Sequence, residues 1–439
     1  MTTATSKAPR PSLAGSVLPG GPVVPYPDKP LWRPRNIAWW AERLKDEPDE
    51  SKKGWEEVPQ ERYPGDFPRR CLEIFDKGGD VRLVVGPDGE IYAAEASGSR
   101  VGRSTDGGRT WSELAKLPPF IESLGALRDG SVLASITVQP PPPSDMEQWW
   151  DQHALHGIKM DMYCSTDGCR TWMKTCRLEP PARLPEDIYE DWDHIGLGTG
   201  FSRFVQLRDG SVIVPVATNV LPTKQRGRPP ERMQLCTTFI YRSTDGGLTW
   251  KPDPKPVGIG WGEFNVTLLR SGRLMAFIRL QRALQPEDPP DHWDIEPAPV
   301  TRGYKTGFMS TSDDDGRTWS PARMLTRYHE VPGCFVELSD GTLVASYGQK
   351  CVPYGCRAIV SPNGGKSWHQ QILVLADQEN DRPHMDNQGG HCCSVVLADD
   401  TIISAYQSQG AGEGVPMTSR AVIWRVPEEL RAGKGGTNS

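Results

Sequence analysis

The segment 381-DRPHMDNQGGH-391 packs His384, Asp386, Asn387 and His391 together. Histidine among carboxylates can do general acid–base work, because imidazole changes charge close to neutral pH. The same groups could ligate a metal, but their spacing matches no metal signature, and a hydrogen-bonded loop would use them equally well. The Gly389-Gly390 step allows the backbone to approach a ligand closely. A second polar cluster, 191-DWDHIG-196, adds Asp193 and His194. The stretch 147-EQWWDQHALH-156 sets Trp149 and Trp150 beside two histidines. Indole faces of this kind stack on sugar rings or pack loops together. These residue types would suit proton transfer, and no cofactor or metal is expected.

Such groups work only if a frame brings them to one place, and the frame is written as repeats. The turn 100-RVGRSTDGGRTW-111 returns at 161-DMYCSTDGCRTW-172, 239-FIYRSTDGGLTW-250, 308-FMSTSDDDGRTW-319 and 357-RAIVSPNGGKSW-368. Self-similarity at intervals of this order signals a repeat architecture. A second pattern, two apolar runs around an Asp-Gly type turn, precedes each box. It occurs six times, from 83-LVVGPDGEIYAAEA to 394-SVVLADDTIISAYQ. Asp-Gly between apolar runs is a hairpin signal, since glycine takes positive φ without steric cost. Hairpin, third strand, box turn and fourth strand make one blade, and six such units make an all-β, six-bladed β-propeller. The sixth unit has a third strand at 419–426 but no box after it. A ring must not leave an edge unpaired, so the strand 70-RCLEIFD-76 is expected to close the last blade from the N-terminal side. The box aspartates are expected to be structural, because five copies would face five directions.

In this scheme the Asp-Gly turns and the boxes share the lower face. The long connections 138–158, 178–202, 217–236, 280–305 and 376–393 lie on the upper face, where function tends to sit. Residues 1–69 read as a Pro-rich N-terminal extension with a short helix over 31–47, residues 70–426 as the propeller, and residues 427–439 as a flexible tail.

Composition excludes several classes. The net charge of −6 gives no basic footprint for nucleic acid, and no apolar run is long enough to span a membrane. No apolar targeting core follows the first basic residues, which points to a cytoplasmic protein unless a processed N-terminus hides a secretory signal. Ten scattered cysteines without a CxxC pair are expected to be free thiols; Cys164 with Cys176, and Cys351 with Cys356, are the pairs that could become neighbours. Nothing in the sequence speaks to oligomeric state.

The boxes resemble the Asp boxes (bacterial neuraminidase repeats) of the sialidase superfamily, over roughly residues 70–426. That resemblance implies a carbohydrate-binding propeller whose enzymes use three arginines for a substrate carboxylate, an Asp acid/base, and a Tyr activated by a Glu. The element 263-EFNVTLLRSGRLMAFIR-279 is similar to the family's Glu-hairpin-Arg element. It makes Glu263 a base or nucleophile activator and Arg279 an anion-binding residue. Arg357, just ahead of the fifth box, resembles a second carboxylate-binding arginine. Elsewhere the chain departs from the pattern. Gly79 occupies the aligned position of the first arginine, with Arg82 three residues late and within the strand. The link after the first hairpin lacks the next arginine and the acid/base loop, leaving only Glu95. His391 falls where the nucleophilic Tyr would be. The implied protein is a sialidase-like glycoside hydrolase for an acidic or unusual sugar, with Glu263, His391, Asp386 and His384 as catalytic groups. Arg279, Arg357, Asp193, His194, Trp149 and Trp150 are its expected substrate contacts. The alternatives are a uronate polysaccharide lyase and a non-catalytic propeller that binds a glycan or a protein.

Overall fold

The computed structural model describes residues 57–76, 78–96, 99–114, 116–138, 159–179, 181, 192–197, 202–222, 235–254, 256–259, 261–282, 304–328, 330–349, 355–377, 391–409 and 417–433. They form six sheets, in most of which the spatial strand order follows the chain. Blade one runs Val81–Val85, Ile91–Glu95, Val101–Ser104, Ser112–Glu113, from inner to outer strand. Blade four runs Trp261–Leu268, Leu274–Arg282, Tyr304–Ser312, Arg323–Tyr328. Blade six takes its inner three strands, Cys393–Val396, Ile402–Gln409 and Met417–Trp424, from the C-terminal end of the chain. Its outer strand is Arg69–Phe75, antiparallel to Met417–Trp424 with Cys71 opposite Val422. One sheet thus joins strands from the two ends of the described chain.

Period-2 alternation along each strand decides what lies between blades. On the first hairpin Val81, Leu83, Ile91 and Ala93 pack against Cys393, Ile403 and Ala421 of blade six. The residues between them, Val84, Tyr92 and Ala94, pack against Leu124, Val132 and Ile136 of blade two. Both faces are therefore dry, which is why these strands read as continuous apolar runs. Six such clusters fill the ring between neighbouring sheets.

The box is a closed hydrogen-bond unit. Ser104 Oγ accepts from Gly108 N at 2.9 Å and donates to Asp106 Oδ1. Asp106 Oδ1 accepts from the amides of Arg109 and Thr110, and Oδ2 from the Thr110 hydroxyl at 2.6 Å. Asp167, Asp245 and Asp314 take amide and threonine-hydroxyl bonds in the same way. Their tryptophans plug the gaps between blades; Trp319 meets Phe264 edge-on with centroids 4.9 Å apart. In the sixth hairpin Asp400 takes the left-handed turn position (φ 63°) that glycine holds elsewhere. Its carboxylate repays this by binding Ser339 N and Oγ of blade five, at 2.7 and 2.6 Å. No box follows blade six. Instead a short 3-10 turn, Glu428–Leu430, buries Leu430, and Arg431 pairs with Asp340 and Asp400. Ahead of the ring, Glu61–Arg62 adds a parallel pair to the edge of blade five, and Phe67 is buried against Trp424.

Candidate functional site

The upper ends of three inner strands bring a small polar cluster together. Glu263 lies near the start of the inner strand of blade four, at a β-bulge. Gly262 pairs with Arg279 and Asn265 with Phe277, so two residues, 263 and 264, oppose one. Glu263 takes φ 46°, a conformation a non-glycine residue holds at a cost of about 1–3 kcal/mol. The bulge turns the glutamate to Arg279, whose Nη1 donates to Oε1 at 2.5 Å. The side chains are only 12% and 14% exposed. Glu263 Oε2 and Arg279 Nε are buried and take no hydrogen bond. A buried carboxylate oxygen left in that state is costly unless something else occupies the site.

His391, at the entry to blade six, comes to the same point. Its Nε2 lies 3.7 Å from Glu263 Oε1. Its Nδ1 is hydrogen-bonded to Asp80 Oδ2 of blade one. A carboxylate on Nδ1 sets the tautomer, with the proton on Nδ1 and the lone pair on Nε2, the nitrogen nearer Glu263. Burial draws the pKa of His391 down to about 4, which favours the neutral ring.

Asp80 is itself held. Its carbonyl accepts from Ala96 N at 2.8 Å. The neighbouring Gly79 donates its N–H to Glu95 Oε1 at 2.9 Å, and its carbonyl accepts from Ser419 Oγ. Glu95 is fully buried. A Cβ on Gly78 would lie 2.6 Å from Glu95 Cγ, so the bare backbone at Gly78 leaves room for the glutamate. At Gly79, where the resemblance implied an arginine, the backbone N–H instead meets the buried carboxylate of Glu95.

Deeper on the axis, two arginines line the inner strands. Arg82 is 6% exposed, and its Nε donates to the Glu122 carbonyl at 2.7 Å. Burial lowers its pKa, against the opposing pull of Glu122, Cys393 and Glu263. Arg203 of blade three reaches across to blade six. Its Nη2 lies 3.1 Å from Cys393 Sγ, 3.7 Å from Cys334 Sγ, and on the Ser394 carbonyl. Arg82 lies near enough to both Glu263 and Arg203 to feel their charges.

Of the residues singled out in the sequence, Glu263, Arg279 and His391 converge. Arg357 is 1% exposed on the third strand of blade five, and its Nη1 donates to the carbonyls of Cys356 and Ala376 at 3.0 and 2.7 Å. Asp193 and His194 lie on the strand Trp192–Leu197, opposite Leu221 and Val220. His384, Asp386, Trp149 and Trp150 lie outside the described residues. Cys164 and Cys176 are free thiols, and Cys351 is outside the described residues. Sequence reasoning missed Asp80 and Arg203, and it set Arg82 aside as out of place. The available signal was position, since all three stand at or in the first strand of a hairpin unit, the strand nearest the axis. Among the described residues no cluster of His, Cys, Asp and Glu could hold a metal ion. No helix among them is long and apolar enough to cross a membrane.

Comparison with known proteins agrees with this architecture. Residues 241–252, the third box, match the BNR/Asp-box repeat model. A sialidase of Bacteroides fragilis (strain YCH46) is 21% identical over 340 residues, 70% of this chain. The chain spans only about half of that relative, 54% of its length. Among solved structures, a protein of unknown function from Dyadobacter fermentans DSM 18053 superposes with a TM-score of 0.57 at 18% identity, over 83% of this chain and 100% of that one. The Hadza microbial sialidase Hz136 gives 0.53 at 17% identity, over 79% of this chain and 65% of that one. A point mutant of the α-L-arabinofuranosidase Arb93a of Fusarium graminearum, in complex with an iminosugar inhibitor, gives 0.50 at 13% identity, over 81% of this chain and 97% of that one. The chain is thus a six-bladed propeller with Asp-box turns, similar in fold to a sialidase and to an α-L-arabinofuranosidase.

Proposed function

We propose that this protein is a glycoside hydrolase acting on an acidic or otherwise unusual sugar at the upper end of the propeller axis. The observation that carries the reading is the meeting of Glu263, Arg279, His391 and Asp80 from blades four, six and one. Such a set can move a proton and hold an anion at one point. The neutral His391 offers Nε2 as a proton acceptor, with Asp80 fixing the ring. Glu263 supplies a carboxylate whose second oxygen has no internal partner. It serves as base or as activator of a nucleophile. Arg279 has one nitrogen on Glu263 and its Nε still to give to an anionic or hydroxyl group of the substrate. His384 and Asp386 are proposed to share the proton transfer, and Arg357, Asp193, His194, Trp149 and Trp150 the substrate contacts. The sugar-cleaving relatives support a carbohydrate as the ligand class.

One observation favours a second reading. The Glu263–Arg279 pair is already closed at 2.5 Å, as expected if the cluster only braces the top of a glycan-binding propeller. A screen against chromogenic sialosides, arabinofuranosides and other glycosides, with uronate polymers alongside, separates the two. Turnover that is lost in Glu263→Gln supports the hydrolase. Release of an unsaturated product from uronate polymers would identify a lyase. Glycan binding without turnover, unchanged in Glu263→Gln, would establish the binding propeller instead.

A further inference from the structure

Cys356 and Cys392 belong to different blades. Cys356 is on the third strand of blade five, Gly355–Ser361, and Cys392 immediately precedes the inner strand of blade six. Both are fully buried in one apolar cluster with Leu373, Tyr406 and Val422. Their Sγ atoms are 2.7 Å apart. That is well inside the ~3.5–4.0 Å of ordinary heavy-atom contact but longer than the ~2.05 Å of a bond, and in this structure the two are separate thiols. We propose that these two cysteines form a disulfide that staples blade five to blade six directly behind His391.

The location gives the bond a consequence. Cys356 pairs within its sheet with Ala376, at the near root of the 376–393 connection, and Cys392 follows His391 at the far root. A covalent bond here ties both roots of that connection to one point and fixes the backbone that carries His391. Cross-linking residues 36 apart in sequence also narrows the unfolded ensemble. The pair differs from those the cysteine spacing suggested. Neither partner is close in sequence, so only the ring closure of the blades brings them together.

The chemistry is an ordinary thiol–disulfide exchange. Two thiols lose two protons and two electrons and become one disulfide. The acceptor is a low-molecular-weight disulfide such as oxidised glutathione, which becomes two thiols. Burial pushes the Cys392 thiol well above its usual range, so little thiolate exists once the chain is folded. The bond therefore forms during folding in an oxidising compartment, and the apolar cluster then shields it from reductants.

The test uses the full chain, folded in a buffer of reduced and oxidised glutathione and then denatured in excess alkylating agent without reductant. Proteolysis and mass spectrometry should find the peptides of Cys356 and Cys392 linked, two hydrogens lighter than the pair of free peptides and separable by reductant. Complete alkylation of both cysteines, or linkage of either to a different cysteine, overturns the proposal. The double variant Cys356→Ala/Cys392→Ala serves as the second measurement. Its melting temperature should not respond to oxidised glutathione, whereas that of the natural chain should rise. Equal responses of the two proteins would also overturn it.

Discussion

The lower and upper faces of the propeller use carboxylates in opposite ways. On the lower face, Asp106 accepts from two amides and two hydroxyls. Its pKa falls to about 2, chiefly through the hydroxyl and amide bonds of Thr110. Asp167, bonded in the same way, also falls to about 2. On the upper face, Glu263 sits in a left-handed bulge with one oxygen on Arg279 and the other buried with no hydrogen bond. A satisfied carboxylate stabilises a turn and has nothing left to offer. An incompletely satisfied one costs stability, and it persists where surrounding structure over-determines it, as functional sites do.

The largest effect that would sharpen this contrast is on turnover. Glu263→Gln keeps the shape and the contact with Arg279 but removes the proton acceptor. We expect kcat to fall by about 10²–10⁴-fold on whichever glycoside the screen identifies, while Arg279→Ala chiefly raises KM. Full activity in Glu263→Gln would break the comparison, because the upper carboxylate would then be as structural as the lower ones.

Asp80→Asn tests the next layer. Asn can no longer select the Nδ1–H tautomer, so the Nε2 lone pair is lost for part of the molecules. We expect kcat to drop by about 10–10²-fold, at the lower end of acid–base effects, with little change in KM. The acid limb of the profile is the diagnostic readout. His391 must be neutral to accept a proton, so on the proposed function the activity of the natural chain should fall as pH drops through about 4. Removing a neighbouring negative charge disfavours the imidazolium further and should move that limb to still lower pH. An unmoved limb in Asp80→Asn would show that His391 is not the group being titrated.

How much of this was readable in the chain depends on whether a signal was local. The blades were legible because each Asp-Gly turn and each Ser-x-Asp-x-Gly-x-Thr-Trp box carries its own hydrogen-bond chemistry within a few residues. Glu263 and Arg279 were legible because one hairpin spans them. Asp80 was not. It becomes meaningful only when blade one meets blade six and places it against His391, 311 residues away. Arg357 was legible only in part: its place ahead of a box says nothing about which side of the sheet its side chain takes, and only the fold shows its Nη1 on the carbonyls of Cys356 and Ala376. The cysteine pair behind His391 belongs with Asp80, since closure of the ring creates it.

On the lower face the expected effects are on stability alone. Asp106→Ala removes the acceptor for the Arg109 and Thr110 amides. These groups are exposed enough for water to replace it in part, so we expect a loss of about 1 kcal/mol in denaturant unfolding. Turnover per folded molecule should be unchanged. Loss of turnover in a mutant that melts normally would show that the box face does contribute to catalysis.

The smallest effect distinguishes the boxes from one another. The fifth box carries Asn363 where the others carry Asp. Its Oδ1 accepts from Ser367 N at 2.9 Å, and its Nδ2 donates to Ser367 Oγ at 2.8 Å. In N363D the serine hydroxyl has only to rotate and donate, as Thr110 does to Asp106. The new bond is charge-assisted and stronger than the neutral one. The turn is exposed, so the gain should be about 0.5 kcal/mol. Its pH dependence carries the argument. A carboxyl held below its ordinary pKa in the folded state contributes stability above its unfolded pKa and loses it as pH falls through the folded value. If N363D behaves like Asp106, which goes from 3.8 to about 2, its advantage over the natural chain should be complete near neutral pH. It should shrink below about pH 4 and vanish near pH 2. An advantage that persists into acid would mean that the fifth box gains from shape and not from charge.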